Sequence, residues 1–160
     1  MFVLAFAFIL QPKKIRTFAD DFTATFYDPE SALDAALEIH RRVRIFNQSE
    51  QSCDVCFECT IGLGYGEVFE IGADQAMGNE MNQTSKLGED VARGGETLIT
   101  EGFYSAVKSR SDVSYVPRTH EDLPFRFYRA EPIEKVISCK LEFKPKTWQT
   151  ATPLGMTQGV

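Results

Sequence analysis

Mixed apolar and polar residues make two short extended runs, Lys14 to Phe18 and Phe22 to Phe26, split by the acidic pair Asp20 and Asp21. That arrangement predicts two strands joined by a polar turn. Asp28 and Pro29 then supply a cap and a first-turn proline, and Leu33, Ala36, Leu37, His40 and Val43 follow at helical spacing, so an amphipathic helix is expected. His40 falls on or beside its apolar face and reads as a packed or partly exposed imidazole rather than a catalytic one. Strand character returns in Val55 to Leu63 and Glu67 to Ile71 around Gly62, Gly64 and Gly66, which predicts a hairpin. From Met77 to Ala92 a second helix is expected, with Met81, Thr84 or Ser85, Gly88 and Val91 inward and Gly94 and Gly95 ending it. Thr97 to Thr100 reads as a strand, Gly102 to Lys108 as a short helix, and Val113 to Val116 and Phe125 to Tyr128 as later strands. The order predicts an α+β fold, with helices packed on one face of a mostly antiparallel sheet.

Composition narrows the function classes. A chain of 160 residues with 43% hydrophobic content suits one domain with its own core. Its 17 basic against 23 acidic residues give a net charge of -6, and no dense basic patch forms, which argues against nucleic acid as a partner. A nucleotide remains open, because a polyanion of that size needs only a magnesium ion and a few cations. The apolar run Phe2 to Leu10 has nine residues, about half of the ~20 that span a membrane. Without a basic segment before it or a small-x-small site after it, the run reads as a core element cut short, not a membrane span or signal. Residues 144–160, with Pro145, Pro153 and Gly159, read as a loosely held tail behind a domain over residues 1–143.

Cys53, Cys56 and Cys59 have C-x-x-C-x-x-C spacing. On a strand, alternation would turn Cys56 away from the other two, so one ion could not easily collect all three. Buried or free thiols in a reducing, cytoplasmic compartment are the default.

Three groups of residues carry candidate chemistry. Asp20 and Asp21, adjacent at a strand turn, could hold a hard cation that takes its remaining ligands from phosphate. The string Gly62-Leu63-Gly64-Tyr65-Gly66 lacks the lysine and hydroxyl of a phosphate loop and precedes a strand, so it reads as close backbone packing. Asn82 and Lys86 lie four apart on the second helix and project from one face.

The order of these groups resembles the catalytic domain of class III adenylate and guanylate cyclases over roughly residues 13–130. Arg16-Thr17-Phe18-Ala19-Asp20-Asp21-Phe22-Thr23-Ala24-Thr25-Phe26 is similar to the family's lysine-threonine strand, Gly-Asp turn and aromatic strand. Gly66-Glu67-Val68 matches its Gly-Glu-Val strand. Gly78-Asn79-Glu80-Met81-Asn82-Gln83-Thr84-Ser85-Lys86 matches the helix written G-D-x-V-N-x-A-x-R, and Gly95-Glu96-Thr97-Leu98-Ile99-Thr100 the strand after it.

The resemblance implies a ferredoxin-like cyclase fold, a homodimer with the site at its interface, and conversion of a nucleoside triphosphate, here ATP, to its cyclic monophosphate and pyrophosphate. It also implies two magnesium or manganese ions. Residue by residue, Asp20 matches a metal-binding aspartate and Asn82 the asparagine that orients the ribose. Lys86 stands where the family has a phosphate-binding arginine, and Arg16 where it has a purine-reading lysine; both keep charge and change geometry. Gln75, with Asp74 beside it, falls at the other purine-reading position. The family's opening strand, with its D-x-x-G-F-T motif and a further metal-binding aspartate, has no match here. The chain is therefore expected to be either a cyclase domain incomplete at its front or a degenerate homologue serving dimerisation or nucleotide-binding regulation.

Overall fold

The computed structural model describes residues 12–49, 56–71 and 75–133. The first two runs close into a hairpin of β1 (Lys14–Phe18) and β2 (Asp21–Thr25), with Phe18 opposite Asp21 and Lys14 opposite Thr25. The turn is thus Ala19-Asp20, one position earlier than the acidic pair suggests, and Asp21 already belongs to β2. Ala19 has φ 51°, a left-handed conformation that a two-residue hairpin demands and that costs an L-residue roughly 1–2 kcal/mol.

Asp28 ends the extended path. Its Oδ1 accepts from the Ser31 N–H at 2.8 Å and its Oδ2 from the Ser31 hydroxyl at 2.8 Å, bonds that hold its carboxyl below the ordinary value. Helix α1 (Pro29–Ser49) follows and buries Leu33, Ala35 and Ala36. Arg110, whose side chain is only 17% exposed, pairs with Glu30 and Asp34 of this helix and with Asp112, tying the helix start to the segment between Val107 and Val113.

The chain continues through β3 (Ile61–Leu63), β4 (Phe69–Ile71), β5 (Gln75–Met77), α2 (Asn79–Lys86), β6 (Thr97–Thr100), α3 (Glu101–Val107), β7 (Val113–Arg118) and β8 (Phe127–Pro132). One sheet has the order β3-β6-β8-β7; β3 runs parallel to β6, and β8 is antiparallel to both β6 and β7. The expected hairpin between Val55–Leu63 and Glu67–Ile71 does not form. β3 is shorter and joins β6, while β4 pairs with β5, a strand the sequence pattern concealed. The cause lies in Gly62, Gly64 and Gly66, which present a face without side chains, and α2 settles on it. Met77, expected to open the helix, instead ends β5, and α2 passes directly into a π-helical turn, Leu87–Val91.

All four residues of β6 are buried, two on each side. Ile99 joins Leu33, Phe103, Val107, Val113 and Ala130 in one cluster, which brings α1 and α3 to that face. Leu98 joins Leu87, Leu123 and Phe127 in another, beneath the π-helical turn. Thr100 caps α3 by accepting from the Phe103 N–H at 3.2 Å. The N-terminal apolar run, Cys53, Val55 and the tail lie outside the described residues.

Candidate active site

Helix α2 is placed by contacts between backbones. A Cβ on Gly62 would collide with the Thr84 carbonyl oxygen and lie 2.8 Å from Gly88 N, while a Cβ on Gly88 would lie 2.9 Å from Gly62 N. Only glycine permits so close an approach. With this side of the helix against β3, Asn82 and Lys86 are exposed and one helical turn apart. Lys86 Nζ lies 3.6 Å from Asp90 Oδ2, and the two side chains are 49% and 62% exposed. Such a pair is weak and easily exchanged for a stronger anion.

The start of α2 carries a residue that sequence reasoning passed over. Glu80 Oε1 accepts from the Tyr65 N–H at 3.1 Å and from the Thr100 hydroxyl, while the Glu80 carbonyl accepts from the Thr84 hydroxyl at 2.7 Å. The side chain is half-buried against glycines: Cβ atoms on Gly64 and Gly66 would each lie 3.2 Å from Glu80 Cγ, and one on Gly102 3.3 Å from its Oε1. The available signal was a glutamate beside a helix start together with glycines at period two.

The remaining candidates sit elsewhere. Arg16 is exposed on β1 opposite Thr23, and Asp20 is exposed in the hairpin turn. Gln75 opens β5 opposite Ile71, and Asp74 lies outside the described residues. The structure therefore sets Asn82 and Lys86 one turn apart on α2, while Arg16 and Asp20 share only the β1–β2 hairpin, Arg16 within the strand and Asp20 in the turn. The hairpin packs mainly on itself, and α2 packs on β3, β5 and β6. Among the described residues no three metal-ligating side chains converge.

His40 bears out its reading as a packed group. Its Nε2 is 3.0 Å from Thr97 Oγ1 and its Nδ1 3.4 Å from Cys59 Sγ. It lines a cavity of about 190 Å³ with Leu37, Arg44 and Arg129. Burial lowers the His40 pKa below 6.5 and raises that of the Cys59 thiol. The segment from Cys56 to Thr60 forms no strand, so strand alternation does not govern the thiols; Cys56 is exposed and Cys59 half-buried. Because the folded imidazole binds its proton less readily than the unfolded one, the His40 contribution to stability is complete above about pH 6.5 and declines as pH falls towards its depressed value. Urea midpoints measured from pH 5 to 7.5 should fall on acidification in the unaltered protein, and His40→Gln should flatten that part of the profile.

Among solved structures, the chain is similar to an adenylate/guanylate cyclase/hydrolase from Silicibacter pomeroyi, at 14% identity and TM-score 0.66 over 84% of this chain and 79% of that one. The adenylyl cyclase CyaB from P. aeruginosa gives 18% identity and TM-score 0.61 over 82% and 78%. The catalytic core of a rhodopsin-guanylyl cyclase with converted specificity, in complex with ATPαS, gives 18% and 0.64 over 80% and 75%. The chain has the nucleotidyl cyclase fold. No family model matches the sequence, and no curated protein matches it. Helix α2 covers the stretch whose sequence resembles the asparagine-containing motif, and Asn82 and Lys86 on it are exposed. No helix among the described residues is long and apolar enough to cross a membrane.

Proposed function

We propose that the chain is the catalytic domain of a nucleotidyl cyclase that converts ATP to 3′,5′-cyclic AMP and pyrophosphate as a homodimer. One observation carries this reading beyond the fold: Asn82 and Lys86 are exposed together on α2, apart from the hairpin that carries Arg16 and Asp20. Two groups that a single subunit keeps separate are what a site assembled from two subunits requires, and the family resemblance assigns such a site.

Asp20 is exposed, and among the described residues no hydrogen bond or ion pair engages it, so it fits as a carboxylate ligand for magnesium or manganese arriving with a triphosphate. The metals, when bound, would neutralise phosphate charge and favour loss of the ribose 3′-hydroxyl proton. In this reading the Asn82 amide holds the ribose so that its 3′ oxygen faces the α-phosphorus. Lys86 exchanges the Asp90 carboxylate for phosphate oxygen. The new O3′–P bond forms as the bond from the α-phosphorus to the bridging oxygen breaks, the proton passes to solvent water, and pyrophosphate leaves with the electron pair. Arg16 and the Asp74–Gln75 segment contact the purine edge, and ATP over GTP is the preference proposed for them.

The test is complementation. Asp20→Ala and Asn82→Ala chains, each with little or no turnover alone, should on mixing regain roughly a quarter of wild-type turnover, since half of the random dimers are mixed and each has one intact site. No recovery, with mixed dimers shown to form, removes the shared site and leaves the chain as a non-catalytic cyclase homologue. Competition between ATP and GTP decides the base, and equal or preferred use of GTP overturns the adenylate assignment.

A further inference from the structure

The glycines at 64 and 66 look like a phosphate loop in the sequence, yet in the structure they enclose a side chain of the protein itself. We infer that Glu80 is a positioning residue for the cyclase site, fixing the rotation of α2 about its axis and so the direction of Asn82 and Lys86. This rests on the cyclase reading above.

The Gly62–Gly88 contact sets how closely α2 approaches the sheet, but smooth backbone surfaces resist rotation poorly. Beside the buried Leu87 that follows α2, resistance comes from the Glu80 carboxylate, which one oxygen anchors to two elements at once: the loop, through the Tyr65 N–H at 3.1 Å, and the end of β6, through the Thr100 hydroxyl. Thr100 in turn caps α3 through the Phe103 N–H. Gly64, Gly66 and Gly102 close around the stem so tightly that a Cβ on any of them would come within 3.3 Å of Glu80 atoms. Glu80 stands two residues before Asn82, at the position that the motif G-D-x-V-N-x-A-x-R leaves open, so this anchor belongs to the present chain and not to the motif. A rotation of about 10° would carry a polar group ~5 Å from the helix axis through about 1 Å. A displacement of that size can lower turnover on the order of 100-fold.

The experiment compares Glu80→Ala and Glu80→Gln with the unaltered chain, measuring kcat and KM for magnesium ATP and amide hydrogen exchange across residues 64–86. Glu80→Ala should lower kcat at least ~10-fold with KM within about 3-fold, and should speed exchange at Tyr65 and the first turn of α2. Glu80→Gln should recover most of both, because its amide oxygen still accepts from Tyr65 and Thr100. The inference is overturned if Glu80→Ala leaves turnover and exchange as they were, if Glu80→Gln is as damaging as Glu80→Ala, or if the lost turnover only tracks the unfolded fraction in urea titrations. Should the unaltered chain bind ATP and not cyclise it, the cyclase reading fails. Exchange at Tyr65 then still decides whether Glu80 anchors the helix.

Discussion

Gly62→Ala should destabilise the protein by about 3 kcal/mol and displace α2 from the sheet. The added methyl would meet the Thr84 carbonyl oxygen and Gly88 N. Both are backbone atoms of a helix with no rotamer to yield, and β6, hydrogen-bonded on both edges, prevents β3 from retreating. Gly95→Ala provides the contrast. There φ is 83° and nothing lies within 4 Å of the added atom, so only the backbone conformation resists, at roughly 1–2 kcal/mol. Chemical denaturation of the two variants beside the unaltered protein would check the order; an equal or smaller loss for Gly62→Ala would mean that α2 does not rest on β3 as described.

The second large effect is on turnover. Within the proposed reaction, Asn82→Ala should reduce kcat on the order of 100-fold while KM for ATP changes little, because the amide acts chiefly when the ribose reaches the attacking geometry. Its exposed position predicts unchanged stability, so an equal denaturation midpoint would separate lost chemistry from lost fold. Lys86→Arg should hold or raise activity. A guanidinium offers two parallel donors to phosphate where the ammonium offers a point charge, and the weak Asp90 pair is little loss. A kcat for Asn82→Ala near that of the unaltered chain would remove Asn82 from the reaction.

Much of the architecture was legible because strong local patterns met matching tertiary demands. Asp28-Pro29 and the stripe from Leu33 indicated α1, and the two extended runs on either side of the acidic pair indicated the β1–β2 hairpin. What misled was the glycine string. In sequence, glycines between two extended runs signify a turn; in the fold, their missing side chains serve a helix that arrives from later in the chain, a long-range fact that no local window contains. β5 was hidden likewise, because Gln75–Met77 is three residues long and becomes a strand only by pairing with β4. Of the candidate site, Asn82 and Lys86 were singled out by helical spacing together with the resemblance of their stretch to the cyclase motif, and the helix that this spacing requires does form. Glu80 was not, since a carboxylate at a helix start is ordinarily solvated and only the placement of Tyr65 and Thr100 gives it another task.

The contact between Gly62 and Gly88 divides the freedom of α2 in an unusual way. Two backbones in van der Waals contact form a steep repulsive wall, which fixes one translational coordinate almost without compliance. Twisting about the axis is resisted instead by side-chain packing around the Glu80 stem and by hydrogen bonds to one carboxylate oxygen, which are softer than a backbone wall and depend on access by water. Thermal motion of this helix should therefore be anisotropic, with tangential displacement of Asn82 and Lys86 exceeding any change in their height above the sheet.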